Sequence, residues 1–311
     1  MRIPYTVVGG KPTGKAPRLP ASLSLIILNR GGRPYKSAAL SEIEGLGFRE
    51  VLSVEGPSAA YDIENLSKRF PFIKFLILHE DVTVGEKINM AIAESNGLFN
   101  LVIWNDIRCP IATLSTRLLK RIAEKEALCT VPVLQNMRGD TLPSLQAPAF
   151  YNRQLRVLPF PPLKDGAPSI YPFDYCGIYN KERFTLAGGF DYLLTNPYWQ
   201  KLDFGFRGFM WGEEIICDTT YRMSYLAETP TEDTTRDQSY KIFFLKNLAI
   251  RYSRDSGTLP KSRFLPYVLR SGGDLLSAAR EYREVRKWVD INKYRYKQDS
   301  RSTTELWEVS D

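Results

Sequence analysis

Four separated groups of residues have the types and spacings to act together. A short apolar run, Leu23 to Leu28, ends at Asn29-Arg30. Gly85-Glu86-Lys87-Ile88-Asn89 opens a helical stretch. A second apolar run, Leu101 to Trp104, delivers Asn105-Asp106. Further on, Gly188-Gly189-Phe190-Asp191 precedes Trp211-Gly212-Glu213-Glu214. Residues leaving the carboxyl ends of buried parallel strands line the ligand crevice of an open α/β sheet. Leu28, Asn29, Arg30, Glu55, Asn105 and Asp106 are placed there. Glu55 can accept a hydrogen bond from the ring N–H of uracil or thymine; its plainer reading is a solvated loop glutamate. Helix N-termini present free N–H groups and favour anions. The stretch from Gly85 therefore offers a diphosphate its amides and the charge of Lys87, unless Lys87 is simply an exposed helical lysine. Asn89 can cap or hold the neighbouring strand ends.

Asp106 is the sharpest single residue. A carboxylate directly after an apolar strand costs free energy unless it meets a cation or donors. Mg²⁺ or Mn²⁺ bridging a diphosphate would supply that cation; a helix cap is the alternative. Glu213 and Glu214 sit among Phe204, Phe206, Phe209 and Trp211. Paired carboxylates beside apolar rings have separated proton affinities, and one can take a proton from a hydroxyl. An acidic first helical turn answering the helix dipole is the bland alternative. The sole histidine, His79, reads as a loop or sheet-edge residue, which argues against a Ser-His-Asp or Cys-His centre.

The elements that must position these groups alternate. Strands are expected at Leu23–Leu28, Glu50–Val54, Phe72–Leu78, Leu101–Trp104 and Cys129–Leu134. Helices are expected at Tyr35–Leu46, Ile63–Phe70, Gly85–Ser95 and Thr113–Glu126. That alternation predicts a mostly parallel sheet covered on both faces. Residues 135–172, rich in proline, read as a long loop with short strand pieces, of the kind that carries function. Glu213 to Met223 reads as a helix, Tyr225 to Glu228 as a short strand, and Thr229 to Ser239 as a mobile polar loop. Tyr240–Arg254 and Gly272–Val289 read as helices.

The 311-residue chain is long enough to bury a large core. No apolar run approaches the ~20 residues of a membrane span, and the first twenty residues lack the apolar centre of a secretory signal. The four cysteines, Cys109, Cys129, Cys176 and Cys217, show no metal-type spacing and are expected as reduced thiols of a cytoplasmic protein. The net charge of +7 is concentrated at the end: from Lys241 onward there are 15 basic and 9 acidic residues. Such a tail attracts anionic lipid head groups or phosphorylated acceptors, or is a solvated helical face. No motif points to nucleic acid.

These residues resemble a known family. Over about Ser22 to Asn247 the chain is similar to family 2 glycosyltransferases with a GT-A fold. Ser24 to Arg30 resembles their first strand, and Glu55 stands where the family carries its base-reading acid. Gly85, Asn89, Ala91 and Ile92 resemble its Gly–Asn helix. Trp104-Asn105-Asp106-Ile107 resembles the Asn-Asn-Asp-Val form of the Asp-x-Asp motif. Gly188 to Asp191 resembles the acceptor-side motif, and Glu213-Glu214 the Glu-Asp pair whose second member is the usual base. Arg222 and Lys246-Asn247 resemble later basic positions. Trp104 and Glu214 depart from the pattern. No histidine follows the pair as metal ligand, a place that Glu232 or Asp233 would have to take.

The resemblance implies an inverting transferase with Glu214 as base and Glu213 beside it. Its donor site would hold Leu28, Asn29, Arg30, Glu55, Lys87, Asn89, Asn105 and Asp106. Asp106 would carry Mn²⁺ or Mg²⁺, and Asp191 and Trp211 would meet the acceptor. The implied partners are a UDP- or dTDP-sugar and a glycan or glycolipid acceptor, with no nucleic acid. Location would be cytoplasmic, with peripheral contact at an anionic membrane. Three regions are expected: an arm over 1–20, the transferase domain over 21–240 and a basic helical extension over 241–311. The alternatives are a degenerate sugar- or partner-binding module and a sugar nucleotidyltransferase, the latter echoed by Asn29-Arg30-Gly31-Gly32-Arg33.

Overall fold

The computed structural model describes residues 3–11, 22–30, 40–44, 46–57, 60–110, 114–152, 154–270 and 275–307. The first half is built from β1 (Tyr5–Gly9), β2 (Leu23–Leu28), β3 (Glu50–Glu55), α1 (Ala60–Arg69), β4 (Ile73–Leu78), α2 (Val84–Glu94), β5 (Phe99–Trp104), β6 (Ile107–Arg108), α3 (Thr116–Lys125) and β7 (Cys129–Gln135). Then come β8 (Leu145–Tyr151), β9 (Gln154–Phe160), β10 (Gly177–Asn180), α4 (Lys181–Leu186), α5 (Pro197–Met210) and β11 (Ile215–Tyr225). The end holds α6 (Gln238–Phe243), a π-helical turn at Phe244–Leu248, β12 (Arg251–Ser253), β13 (Ser256–Thr258), α7 (Phe264–Arg270), α8 (Leu275–Asn292) and α9 (Ser300–Glu305). The nine-stranded sheet has the order β1-β4-β3-β2-β5-β10-β7-β11-β6. Strands β4, β3, β2, β5, β7 and β11 run parallel; β1, β10 and β6 oppose their neighbours. Every residue of β2 is buried, as a strand covered on both faces requires.

The predicted alternation through residue 135 is present, and most boundaries fall within two or three residues. Of the predicted helix Tyr35–Leu46, residues 35–39 and 45 lie outside the described residues, and residues 40–44 are helical. Gly31, Gly32 and Arg33 of the nucleotidyltransferase echo also lie outside them.

Four expectations are corrected. Part of the arm belongs to the sheet: β1 pairs antiparallel with β4. The proline-rich middle contains a seven-residue hairpin pair, β8 and β9, joined from Leu145↔Phe160 to Tyr151↔Gln154. Glu213 to Met223 is not a helix. Glu213 and Glu214 precede strand β11, where Tyr221, Met223 and Tyr225 are buried in alternation with Arg222 and Ser224. That period of two defeats the helical reading, and the strand expected at Tyr225–Glu228 is the end of β11. Likewise Tyr240–Arg254 breaks into α6, the π-helical turn and β12.

The helix of this region is α5, which the sequence reading did not identify. Asn196 caps it, accepting from the Tyr198 N–H at 2.9 Å, and Pro197 occupies its first turn. It is buried nearly all round, so it lacks the polar stripe that marks a surface helix. Gly205 permits this, because a Cβ there would stand 1.5 Å from the Ile170 carbonyl oxygen. The terminal region shares a core with α5: Trp199 and Phe206 pack in one cluster with Phe243, Tyr267, Tyr282, Val285, Val289 and Tyr296. The expected boundary between 240 and 241 falls inside α6. Among the described residues, no helix is long and apolar enough to cross a membrane.

Gly205→Ala should therefore overpack the α5 contact and lower the unfolding free energy by at least ~1–3 kcal/mol. Urea denaturation should show a lower midpoint; a native midpoint would mean that α5 does not approach Ile170 this closely.

Candidate functional site

At the carboxyl ends of β2, β3 and β5 the chain brings several predicted residues together. The Asn105 N–H donates to the Leu28 carbonyl at 2.9 Å, and Asn105 Oδ1 accepts from the Arg30 N–H at 3.1 Å. Asn29 Nδ2 reaches the Val54 carbonyl at 2.9 Å and Glu55 Oε1 at 3.2 Å. Glu55 is buried, and Oε1 also accepts from Ser53 Oγ at 2.6 Å. These side chains tie three strand ends to one another. Glu55 Oε1 is thus turned toward its own strand and Asn29.

Arg30 is the centre of the cluster. Its Nε donates to Asp106 Oδ2 at 2.8 Å, Nη1 donates to Asp174 Oδ1 at 3.0 Å, and Nη2 lies 2.8 Å from Asp174 Oδ2. The guanidinium lies 4.5 Å from the Trp104 ring centroid and 5.8 Å from that of Tyr225. Burial opposes its charge, but the two carboxylates outweigh that and hold its pKa above the ordinary value.

Asp174 was not legible in the sequence. It and Tyr175 are consecutive buried residues in the left-handed region, with φ of 51° and 60°. Such non-glycine conformations cost about 1–3 kcal/mol each and persist where the surroundings over-determine them. Here Trp104 Nε1 holds the Asp174 carbonyl at 2.9 Å and the Tyr179 hydroxyl holds the Tyr175 carbonyl at 2.8 Å. The Tyr225 hydroxyl donates to Asp174 Oδ2 at 3.0 Å.

Beside this cluster lies a cavity of about 230 Å³ lined by Val84, Trp104, Asp174, Tyr198, Lys201 and Glu232, among others. Lys201, from α5, is buried; its Nζ donates to both Glu232 oxygens at 2.6 and 2.8 Å and lies 5.1 Å from the Tyr175 ring centroid. Burial, aided by Glu232, pushes the Tyr198 phenol up to about 12. The loop over 229–237 forms one wall and is anchored to α5, with Asn196 Nδ2 on the Asp233 carbonyl at 3.2 Å and Trp199 Nε1 on the Thr235 carbonyl at 2.7 Å. Asp233 also lines the cavity; its Oδ1 accepts from the Thr235 N–H at 3.0 Å.

The start of α2 is not an open anion site. Thr83 Oγ1 accepts from the Glu86 N–H, Glu86 Oε2 accepts from the Thr83 N–H, and Gln200 Oε1 accepts from the Gly85 N–H at 2.9 Å. The amides expected to face a diphosphate are thus satisfied within the protein, and Lys87 is half-buried on the same turn. Asn89 does hold a neighbour, but that neighbour is the glycine turn: its Nδ2 donates to the Phe190 carbonyl at 2.7 Å and its Oδ1 accepts from the Phe190 N–H at 2.8 Å. Gly189 has φ of +62°, and a Cβ there would meet Asn89 Oδ1 at 2.5 Å.

The acidic pair lies at the other end of the sheet. The Glu214 carbonyl accepts from the Leu128 N–H at 2.9 Å, and Ile215 is level with Cys129 and Tyr179, hence with Asn100 near the start of β5. At ~3.3 Å per strand residue this is roughly 15–20 Å from the Trp104 end. Glu213 pairs with Arg183 at 2.9 Å, and Glu214 is exposed. The pair is therefore not among the residues gathered at the Asp106 end of the sheet.

Asp191 and Trp211 do meet, in a second cavity of about 470 Å³ against α8. Asp191 pairs with Lys246 at 2.5 Å, and Lys246 Nζ stands 4.0 Å from the Trp288 ring centroid. The Trp211 and Trp288 rings stack at 5.9 Å. Buried Asp203 joins Arg207 at 3.2 Å and Asn247 at 2.8 Å, so Lys246 and Asn247 pin the terminal region to α5 and the glycine turn. Arg222 is exposed. His79 is at the sheet edge, 2.8 Å from Thr6 Oγ1, and all four cysteines are buried and free.

A divalent metal fits these residues poorly. Asp106 Oδ1 is a buried oxygen without a hydrogen bond, but Oδ2 and both Asp174 oxygens face Arg30. No group of three His, Cys, Asp or Glu among the described residues converges to hold an ion.

This sheet, with its helices and its cluster at the parallel strand ends, is a GT-A fold. Two solved GT-A glycosyltransferases are similar to it. One is GalNAc-T7 with UDP, GalNAc and Mn²⁺, at a TM-score of 0.52 and 10% identity over 73% of this chain and 50% of that one. The other is S. aureus TarS 1–349 in complex with UDP-GlcNAc, at a TM-score of 0.51 and 14% identity over 71% of this chain and 65% of that one. The chain thus spans half to about two-thirds of their lengths. No family model and no curated protein matches it.

Asn89→Ala should cost about 1–3 kcal/mol of stability, because it leaves the Phe190 backbone groups without partners. Urea unfolding should show a lower midpoint; a native midpoint would mean that Asn89 does not hold the glycine turn.

Proposed function

We propose that the chain is a nucleotide-sugar-dependent glycosyltransferase of the family 2 type, moving a sugar from a UDP- or dTDP-linked donor to a hydroxyl of a glycan or glycolipid. The observation that carries this reading is the position of the Asn29–Arg30–Asn105–Asp106 cluster, at the carboxyl ends of a GT-A sheet and beside the Trp104–Lys201–Glu232 cavity. Ligands of open α/β sheets lie at such strand ends. The cavity is smaller than the ~300–1,000 Å³ of whole-ligand pockets, which suits the transferred sugar and the attacking hydroxyl. Bringing both substrates together there supplies much of the acceleration.

Inversion needs a base facing the hydroxyl. Glu232 lines the cavity and is oriented by Lys201, whereas Glu214 is remote from it. Glu232 would take the proton as the hydroxyl oxygen attacks the anomeric carbon and the nucleoside diphosphate leaves. A second reading, a sugar-binding module without turnover, is favoured by the distance of the acidic pair from the strand ends.

Single-turnover transfer at saturating substrates decides between these. Glu232→Gln should slow transfer by ~10²–10⁴-fold and Glu214→Gln should leave it near native. The reverse pattern would restore Glu214 as base, and donor binding with no transfer by the native chain would favour the module.

Peripheral membrane contact would come from α8. Leu276, Arg280, Arg283, Lys287 and Ile291 are exposed along one face, opposite buried Ala278, Tyr282, Val285 and Val289. Basic and apolar residues on one exposed face suit an anionic lipid surface. Binding to phosphatidylserine vesicles should appear at low salt and weaken as the Debye length shrinks to ~10 Å near 0.1 M. Absence of sedimentation at low salt would remove the membrane from the proposal.

A further inference from the structure

We propose that Arg30 is the cation of this donor site, and that a nucleoside diphosphate binds here without a divalent metal. The inference rests on the nucleotide reading above and goes beyond it. A bridging ion needs several oxygen ligands that are not already committed. Asp106 offers one, the buried Oδ1, while its Oδ2 is held by Arg30 Nε at 2.8 Å. Asp174 is committed on both oxygens, to Arg30 and to the Tyr225 hydroxyl. Glu232, on the nearby loop, has both oxygens on Lys201. Asp233, which is exposed, takes the Thr235 N–H on Oδ1 at 3.0 Å and leaves Oδ2 only a 3.4 Å contact with Asn196 Nδ2, so it and Asp106 together offer two oxygens, fewer than such an ion needs.

Arg30, by contrast, is built in as a fixed charge. It stands two residues past β2, where the phosphates of a ligand at the strand ends would lie. Trp104 supports its plane, and two carboxylates from different parts of the fold set its orientation. A guanidinium has five N–H donors in a rigid fork that matches phosphate oxygens. Nε and Nη1 donate to the carboxylates, Nη2 is a buried nitrogen 2.8 Å from Asp174 Oδ2 with no hydrogen bond of its own, and a quarter of the Arg30 side chain remains exposed. Lys201, whose charge reaches Asp174, is a second fixed cation near the same carboxylate. Asp106 and Asp174 are then positioning residues for Arg30 rather than metal ligands.

The test is calorimetry of uridine and thymidine diphosphate with the full chain, in chelator and in excess Mn²⁺, together with titration of Mn²⁺ alone. The expected result is nearly equal affinity in both buffers and no stoichiometric Mn²⁺ site. Arg30→Gln should weaken binding in chelator by about tenfold or more, as loss of a charge-assisted contact predicts. Circular dichroism melting checks its folding, and Arg30→Lys, which keeps the charge but not the fork, serves if Gln does not fold; it should weaken binding severalfold. Binding that appears only with Mn²⁺, or that neither variant weakens, overturns the role of Arg30 and leaves the nucleotide reading standing. Absence of binding in both buffers overturns the nucleotide reading, and this inference with it.

Discussion

The bridge from Arg30 to Asp106 and Asp174 is the interaction on which the site depends. It joins the end of β2, the end of β5 and the buried turn before β10 through one guanidinium. Removing either carboxylate would weaken the hold on a half-buried charge, a larger penalty than the loss of a fully exposed pair. The bridge fixes the Asp174 side chain while Trp104 and Tyr179 hold the Asp174 and Tyr175 carbonyls, and together they keep this buried pair in a left-handed backbone. Strain of that kind is maintained where several contacts specify one geometry, and such places cluster at functional sites.

A second constraint is the path of α5. Its first turns meet the start of α2 through Gln200 and the cavity through Lys201. Its later turns hold the glycine turn through Arg207 and the terminal region through Asp203 and Asn247. One element, α5, therefore packs against both the terminal region and the cavity wall. The loop over 229–237, hung from Asn196 and Trp199, shares that support. A basic terminal region that reads as a separate extension is in this way part of the same core.

What the sequence determined by itself was the first half of the sheet and the residues at its carboxyl ends. Apolar runs of four to six residues separated by amphipathic helices carry that information locally, so Asn29, Arg30, Asn105 and Asp106 could be placed together without coordinates. What only the tertiary structure decided was how those residues spend their hydrogen bonds. Asn89 serves the Phe190 backbone, Glu55 turns back to Ser53 and Asn29, and Asp106 meets Arg30. The second half was read less well because α5 is buried all round and has no polar stripe, although the Asn196-Pro197 start signal was present. Glu213-Glu214 followed a helix instead of opening one, and the direction of β11 carried the pair to the far end of the sheet. Asp174 and Lys201 had no local signal. Their importance comes from contacts with residues 144 and 31 positions away in the chain, and pairing over such separations is set by strand order and packing rather than by neighbouring residues.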